Sequence, residues 1–266
     1  MSQNKKRQLR KILYWIMVGV AGCVFLVAAF MIGKYFYDAK QSAAQFEELE
    51  NLVVQAPAVQ ENAAPAVLTP AEKYGSLYAQ NNDFAGWISI ADTRINYPVM
   101  QNLEIPNYYL RRGFDKNYDY YGIPYAAEHC NLATSDNVVI YGHHMNNGSM
   151  FSDLNKYLNQ SFYADHALIQ FDTLSEYGTY QIFSVFTISA YNEFAYHLFA
   201  DAADQAEFDV YVGECLRRSW YDTGVKPVYG DRLLTLSTCE YSQANGRLVV
   251  VAKKMHKNFS TESPRM

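Results

Sequence analysis

The chain has 266 residues, 50% of them hydrophobic and 15% aromatic, with only 18% charged and a formal net charge of −5. That balance excludes a disordered or low-complexity protein and leaves a globular one carrying something more apolar. Five of the 22 basic residues (Lys5, Lys6, Arg7, Arg10 and Lys11) fall at the N-terminus; the other 17 face 27 acidic residues, a formal charge of −10, which argues against a nucleic-acid partner.

Ile12 to Gly33 is a run of 22 residues without a charge, enough to cross a bilayer core as one helix. The basic cluster before it predicts that residues 1–11 are a cytoplasmic tail, that residues 12–33 span the cell membrane, and that the rest lies outside. The run is longer than the apolar core of a cleavable signal peptide, and no A-x-A site closes it. Val20-Ala21-Gly22-Cys23 has the look of a lipoprotein signal, yet ten more apolar residues follow Cys23 where a lipidated chain turns polar. An uncleaved signal anchor is the expectation. Residues 34–69 read as a short helix from Lys34 to about Glu50, followed by an Ala-, Pro- and Gln-rich linker.

A compact domain is expected over residues 70–258, with a polar tail over 259–266. A helix opens it at Pro70, with Thr69 as cap. Then WISI, INYPVMQ, YYGIPYA, NVVIYG, ALIQFD, TYQIFSVFTISAY, RLLTLS and RLVVVAKK alternate or run apolar between turn signals. Eight strands in one domain of this size predict a mainly β fold, an eight-stranded barrel with added helices. A short helix starts at Ser149, and a longer one covers about Ala202 to Trp220, placing Phe208, Val212 and Cys215 or Leu216 on one face. Of the four cysteines, Cys23 is in the span, while Cys130 and Cys215 are either a disulfide or two separate buried thiols. No C-x-x-C or H-E-x-x-H occurs and the six histidines are scattered, so neither a metal nor another cofactor is expected.

The chemistry concentrates near the end of the chain. In RLLTLSTC the side chains alternate, with Leu233, Thr235, Ser237 and Cys239 on one face. The polar stretch EYSQANG separates this run from Leu248-Val249-Val250-Val251, which predicts a strand, a loop and an antiparallel return. A loop centred near Gln243 sets Cys239 opposite Arg247. A guanidinium there can hold a thiolate or donate to a carbonyl oxygen that becomes negative under attack. An unperturbed thiol ionises near about 8.5, so such a nucleophile needs help, and an imidazole beside it can protonate a leaving amine. His143, after a glycine in NVVIYGHHMNNGSMF, supplies the imidazole. Taken singly, these residues also fit blander roles: a buried apolar Cys and a solvated edge Arg.

TLSTC with Arg eight residues on, behind an upstream YGH, resembles the sortases, the cysteine transpeptidases of Gram-positive cell surfaces. NDFAGWISIADTRINYPVMQ, the Tyr-Tyr-Leu of NYYLRRGF, YGHHMNNGSMFSDLNKY, TLSTCEY and NGRLVVVAKK occur in the order of class B sortases over nearly the whole region beyond the anchor. The helix before the last pair of strands favours class B. The resemblance implies Cys239 as nucleophile, His143 as general acid and base, and Arg247 as oxyanion and substrate stabiliser. It makes the backbone N–H of Glu240 a second oxyanion donor, and Ser237 and Thr238 substrate contacts; His144, the neighbour of the family histidine, is either a further substrate contact or merely structural. The family's Gly is usually followed by a short apolar stretch and an acidic residue, whereas this chain reads GIPYAAEHCN after Tyr121. Pro124 there suggests an edge strand or bulge, and Glu128 a displaced acidic group.

The implied reaction cleaves a C-terminal pentapeptide sorting signal of secreted proteins after its threonine and joins the product to an amine. That amine belongs to a peptidoglycan precursor or to a pilin lysine. The alternatives are a membrane-anchored cysteine hydrolase, or a surface module that binds the peptide without reacting.

Overall fold

The computed structural model describes residues 3–54, 68–241 and 245–255. Most of the expected linker, the tip of the hairpin near Gln243 and the expected tail over 259–266 lie outside the described residues.

The described chain divides into two compact units, residues 1–45 and 46–266. The described residues of the first, 3–45, are helical throughout. Helix α1, Gln3–Asn51, continues without a break where a separate short helix was expected from Lys34. The reason is composition: KYFYDAKQSAAQFEELEN has neither Gly nor Pro and is rich in Ala, Glu and Gln, all strong helix formers. Lys34 and Asp38 add an ion pair of 2.6 Å across one turn. Between Arg10 and Asn51 this helix is long and apolar enough to cross a membrane. Its 22 uncharged residues span roughly 33 Å at about 1.5 Å each, close to a hydrocarbon core.

The second unit includes residues that precede Pro70. Leu49 and Val53 are buried with Tyr74, Leu77 and Trp87, and Phe46 meets the Tyr97 ring edge-on at 5.0 Å. Helix α2, Pro70–Gln80, starts at a reciprocal cap: the Thr69 hydroxyl accepts from the Glu72 N–H while the Glu72 carboxylate accepts from the Thr69 N–H. Its buried Tyr74 donates to Asp172 at 2.7 Å.

Eight strands follow: β1 (Phe84–Ser89), β2 (Asn96–Met100), β3 (Tyr125–Ala126), β4 (Asn137–Tyr141), β5 (Leu168–Thr173), β6 (Thr179–Ser189), β7 (Leu233–Glu240) and β8 (Gly246–Lys254). They close into a barrel in the order β1-β2-β3-β4-β7-β8-β6-β5. All neighbours are antiparallel except β2 with β3 and β4 with β7. The segment around Pro124 departs from expectation. β3 is neither an edge strand nor part of a long one; it has two residues, paired to β2 at Met100 and to β4 at Tyr141 and Ile140. Pro124 sits just before it and uses the group proline keeps, its carbonyl, to accept from the Met100 N–H at 2.9 Å.

Among the described residues, two α-helices and two 3-10 helices lie between the strands beyond β4. The segment begun at Ser149 forms a 3-10 helix, Phe151–Leu158, and then α3, Gln160–Asp165. Helix α4, Gln205–Arg218, is capped by the Asp204 side chain and carries Arg217 and Arg218 in its last turn, both matched to the helix dipole. Phe208, Tyr211, Val212 and Cys215 are its buried face, packed on Phe183, Leu233, Val249 and Val251. Each large apolar side chain so buried contributes about 1.5–3 kcal/mol. Cys130 and Cys215 are free thiols in different clusters, and burial pushes the Cys130 thiol up to about 11.

Candidate active site

The site forms where the parallel pair β4 and β7 ends. Their register runs from Asn137 opposite Leu233 to Tyr141 opposite Ser237, and the Gly142 N–H extends it by donating to the Ser237 carbonyl at 3.1 Å. On the other side of β7, β8 returns with Cys239 opposite Arg247, the pairing expected from the loop length. Strand alternation puts Cys239 on the face of Leu233, Thr235 and Ser237. Helix α4 covers the first part of that face, where the Tyr211 hydroxyl lies 3.2 Å from Thr235 Oγ1. The last part is left open.

A cavity of about 450 Å³ occupies the opening, and Cys239, His143, Arg247, Ser237, Thr238 and Glu128 all line it. Cys239 is half-buried, unlike the enclosed Cys130 and Cys215. Ser237 is buried, and its hydroxyl lies 2.8 Å from the Tyr196 hydroxyl on the loop after β6. Thr238 Oγ1 is buried with no hydrogen-bond partner among the described residues. Glu240 ends β7 and is buried. Arg247 Nη1 donates to the carbonyl of its neighbour Gly246 at 2.9 Å. Among the described residues Arg247 makes no ion pair.

His143 owes its position to two glycines. A Cβ on Gly142 would lie 2.5 Å from the buried Phe151 ring, so the residue before His143 has no room for a side chain. The Phe151 N–H in turn donates to the His143 carbonyl at 2.9 Å. The ring is held from a 3-10 helix, Tyr108–Arg111: Nε2 is 2.8 Å from the Leu110 carbonyl oxygen, and as a carbonyl only accepts, Nε2 carries a proton. Behind that carbonyl stands Gly122, at φ +58°, where a Cβ would come within 2.5 Å of the same oxygen. Burial lowers the His143 pKa below the ordinary histidine value; the Leu110 carbonyl opposes this and the nearby Arg111 charge adds to it. The ring is therefore biased toward its neutral form.

The turn after the histidines is tightly determined. Met150 has φ 57° and ψ −130°, a conformation costing a non-glycine residue about 1–3 kcal/mol. Its N–H donates to the Tyr97 hydroxyl at 3.1 Å, and its side chain is buried. The Met145 N–H donates to the Ser152 hydroxyl at 2.7 Å.

His144, expected to touch substrate, does not line the cavity; its Nδ1 lies 3.1 Å from the carbonyl oxygen of Cys239. The cavity wall also holds Leu110, of the Tyr-Tyr-Leu named above, and residues that sequence reasoning did not single out, among them Tyr196 and His197. Burial lowers the His197 pKa, and the charges of His129 and Arg247 lower it further. Only their position in loops beside predicted strands could have signalled them. Among the described residues no group of three or more His, Cys, Asp or Glu side chains is placed to hold a metal ion.

This geometry has close parallels. The sortase-domain family profile matches residues 88–255. Sortase B of Staphylococcus aureus (strain NCTC 8325 / PS 47) is 31% identical over 238 residues, covering 86% of this chain and 91% of that protein. Sortase B of Listeria monocytogenes serovar 1/2a is 30% identical, covering 88% and 93%. Among solved structures, sortase B from B. anthracis matches with a TM-score of 0.71 at 30% identity, over 84% of this chain and 100% of that one. A Staphylococcus aureus sortase B–substrate complex matches with a TM-score of 0.70 at 29% identity, over 83% and 99%.

Proposed function

The chain belongs to the sortase family, as a cysteine transpeptidase of class B, and on that footing we propose that Cys239, His143 and Arg247 carry the reaction. The observation that supports this most is their convergence on one cavity, with Cys239 and Arg247 in direct cross-strand register.

The Cys239 thiol gives its proton to the neutral His143 ring, and the resulting thiolate attacks the carbonyl carbon of a threonine in the C-terminal pentapeptide signal of a secreted protein. The carbonyl electron pair moves onto oxygen, where the Arg247 guanidinium and the Glu240 N–H receive the negative charge. Collapse of this intermediate breaks the peptide bond. His143 gives the leaving amine its proton, leaving a thioacyl enzyme and a released C-terminal fragment. An acceptor amine then attacks the thioester, His143 takes its proton, and the thiolate departs as the new amide forms. Ser237 and Thr238, on the cavity wall, contact the bound peptide. The acceptor amine belongs to a peptidoglycan precursor or to a pilin lysine.

Residues 12–33 hold the enzyme at the membrane with residues 1–11 in the cytoplasm. Residues 34–69 lead to a catalytic domain over 70–258, outside the cell, and 259–266 form a tail. Enzyme, secreted substrate and lipid-linked acceptor then share one membrane face.

The test is mass spectrometry of the full-length chain in detergent with a panel of sorting-signal peptides and amines, beside Cys239→Ala. A mass increase on Cys239 and a ligated product, both absent from the variant, are expected. Cleavage with water as the sole acceptor across the amine panel would instead identify a hydrolase. No adduct with any peptide on folded protein would identify a binding module.

A further inference from the structure

The two adjacent histidines are held in different ways. His143 turns to the cavity, while His144 turns to the main chain of β7. The backbone explains why a side chain is needed there. Along the edge of β7 that faces β4, carbonyls recur every second residue. The Ser237 carbonyl receives the Gly142 N–H. The next acceptor on that edge is the carbonyl of Cys239, and β4 has ended at Tyr141. His144 Nδ1 stands 3.1 Å from this oxygen.

The ring is fixed on several sides. The Tyr241 ring packs against it at 5.1 Å between centroids, and the Tyr241 hydroxyl donates to the His144 carbonyl at 3.1 Å. The Asn155 side-chain nitrogen is 3.3 Å from the same Nδ1 while its Oδ1 is buried with no partner among the described residues; turning the amide over, which exchanges the two atoms, sets Oδ1 to accept from the Nδ1 proton. The His144 main chain bridges to Met150, the residue with positive φ. A carbonyl oxygen only accepts, so Nδ1 of His144 carries a proton.

We propose that His144 is a positioning residue: its Nδ1–H continues the β4–β7 ladder by one bond and fixes the peptide unit that follows the nucleophile. That unit joins the Cys239 carbonyl to the Glu240 N–H, so anchoring one end sets the plane of the other and the direction of the Cys239 Cα–Cβ bond. The inference rests on Cys239 being the nucleophile. A displacement of about 1 Å at such a group lowers a rate by about 100-fold.

The test exploits the geometry of amide side chains. The Asn amide nitrogen lies as many bonds from Cα as His Nδ1, whereas the Gln nitrogen corresponds to Nε2. Full-length His144→Ala, His144→Asn and His144→Gln are compared in detergent by single-turnover acylation of Cys239 with a sorting-signal peptide. His144→Ala is expected to lower kcat by about 10- to 100-fold with KM held within about twofold. Asn at this position returns the rate to within about threefold of the parent, while Gln leaves it near the Ala variant. A wild-type rate in His144→Ala, a loss confined to KM, or rescue by Gln rather than Asn overturns the proposal. If His144→Ala does not fold, the Asn and Gln variants decide between them. If the parent is acylated by no peptide, the catalytic reading has failed instead. The rate of Cys239 alkylation by iodoacetamide then tests His144, expected to change in the Ala and Gln variants and be restored in Asn; equal rates in all four proteins overturn it.

Discussion

The hairpin of β7 and β8 has two ends, and they treat positive charge in opposite ways. Where β7 begins and β8 finishes, Arg232 and Lys254 both reach Glu176, at 3.0 and 2.5 Å, and Lys253 reaches Asp231 at 2.9 Å. Where β7 finishes and β8 begins, Arg247 stands beside Cys239 with no ion pair among the described residues. The same two strands thus carry paired cations at one end and, at the other, a cation that lines a cavity and makes no ion pair among the described residues. Charge matched within the fold holds elements together; charge left unmatched in a cavity serves what enters it.

The sharpest way to break the comparison is to remove the unmatched cation. Arg247→Ala is expected to lower kcat/KM by about 100- to 1,000-fold with little change in melting temperature, read by peptide cleavage and calorimetry. Arg247→Lys keeps the charge but not the planar fork, and falls between the two. Substantial destabilisation by Arg247→Ala would mean that this end too uses its cation to hold the fold.

Gly122→Ala strikes the support of His143 from behind. The substitution strains a positive-φ residue and pushes on the Leu110 carbonyl, costing about 1–3 kcal/mol of stability. Activity at a temperature where the variant remains folded should fall as well, because the carbonyl that orients the ring has moved. Unchanged activity would detach Leu110 from the site.

Acidification tests the same ring. The His143 pKa is lowered in the fold, so between the ordinary value near 6.5 and the lower folded value the unfolded chain binds the proton and the folded chain does not. Its contribution is intact above pH 6.5 and is lost as pH falls through that window. His143→Gln should therefore flatten the acid side of the stability profile, measured by denaturant midpoints. A steeper acid loss in the variant would reverse the sign. Glu176→Gln, at the satisfied end, carries the smallest effect: two partly exposed ion pairs are worth about 1 kcal/mol or less, and activity should stay at the parent level.

The barrel was legible because each strand announces itself by alternation between turn signals, and the Cys239–Arg247 register followed from loop length alone. The run around Pro124 was harder. Its apolar residues describe a buried segment but not how few of them pair, which depends on β2 and β4 arriving on both sides. Helix α1 was cut short in the reading because the polarity change at Lys34 marks the end of an apolar run, whereas helical hydrogen bonding is indifferent to it. His144 and Tyr196 were the least visible. What His144 does depends on where β4 stops beside β7, and what Tyr196 does depends on a loop crossing to Ser237; neither leaves a local pattern.

The parallel pairing of β4 with β7 has a consequence in time. His143 and Cys239 lie 96 residues apart in the sequence, and the strand that positions Arg247 is the last of the eight. Such long-range closure is slow compared with forming a helix or hairpin. In the unfolded chain the thiol is therefore one ordinary cysteine among four, with His143 and Arg247 not yet beside it. The three side chains come together only as the barrel shuts, so the thiol of an unfolded chain lacks the neighbours that line its cavity in the folded one.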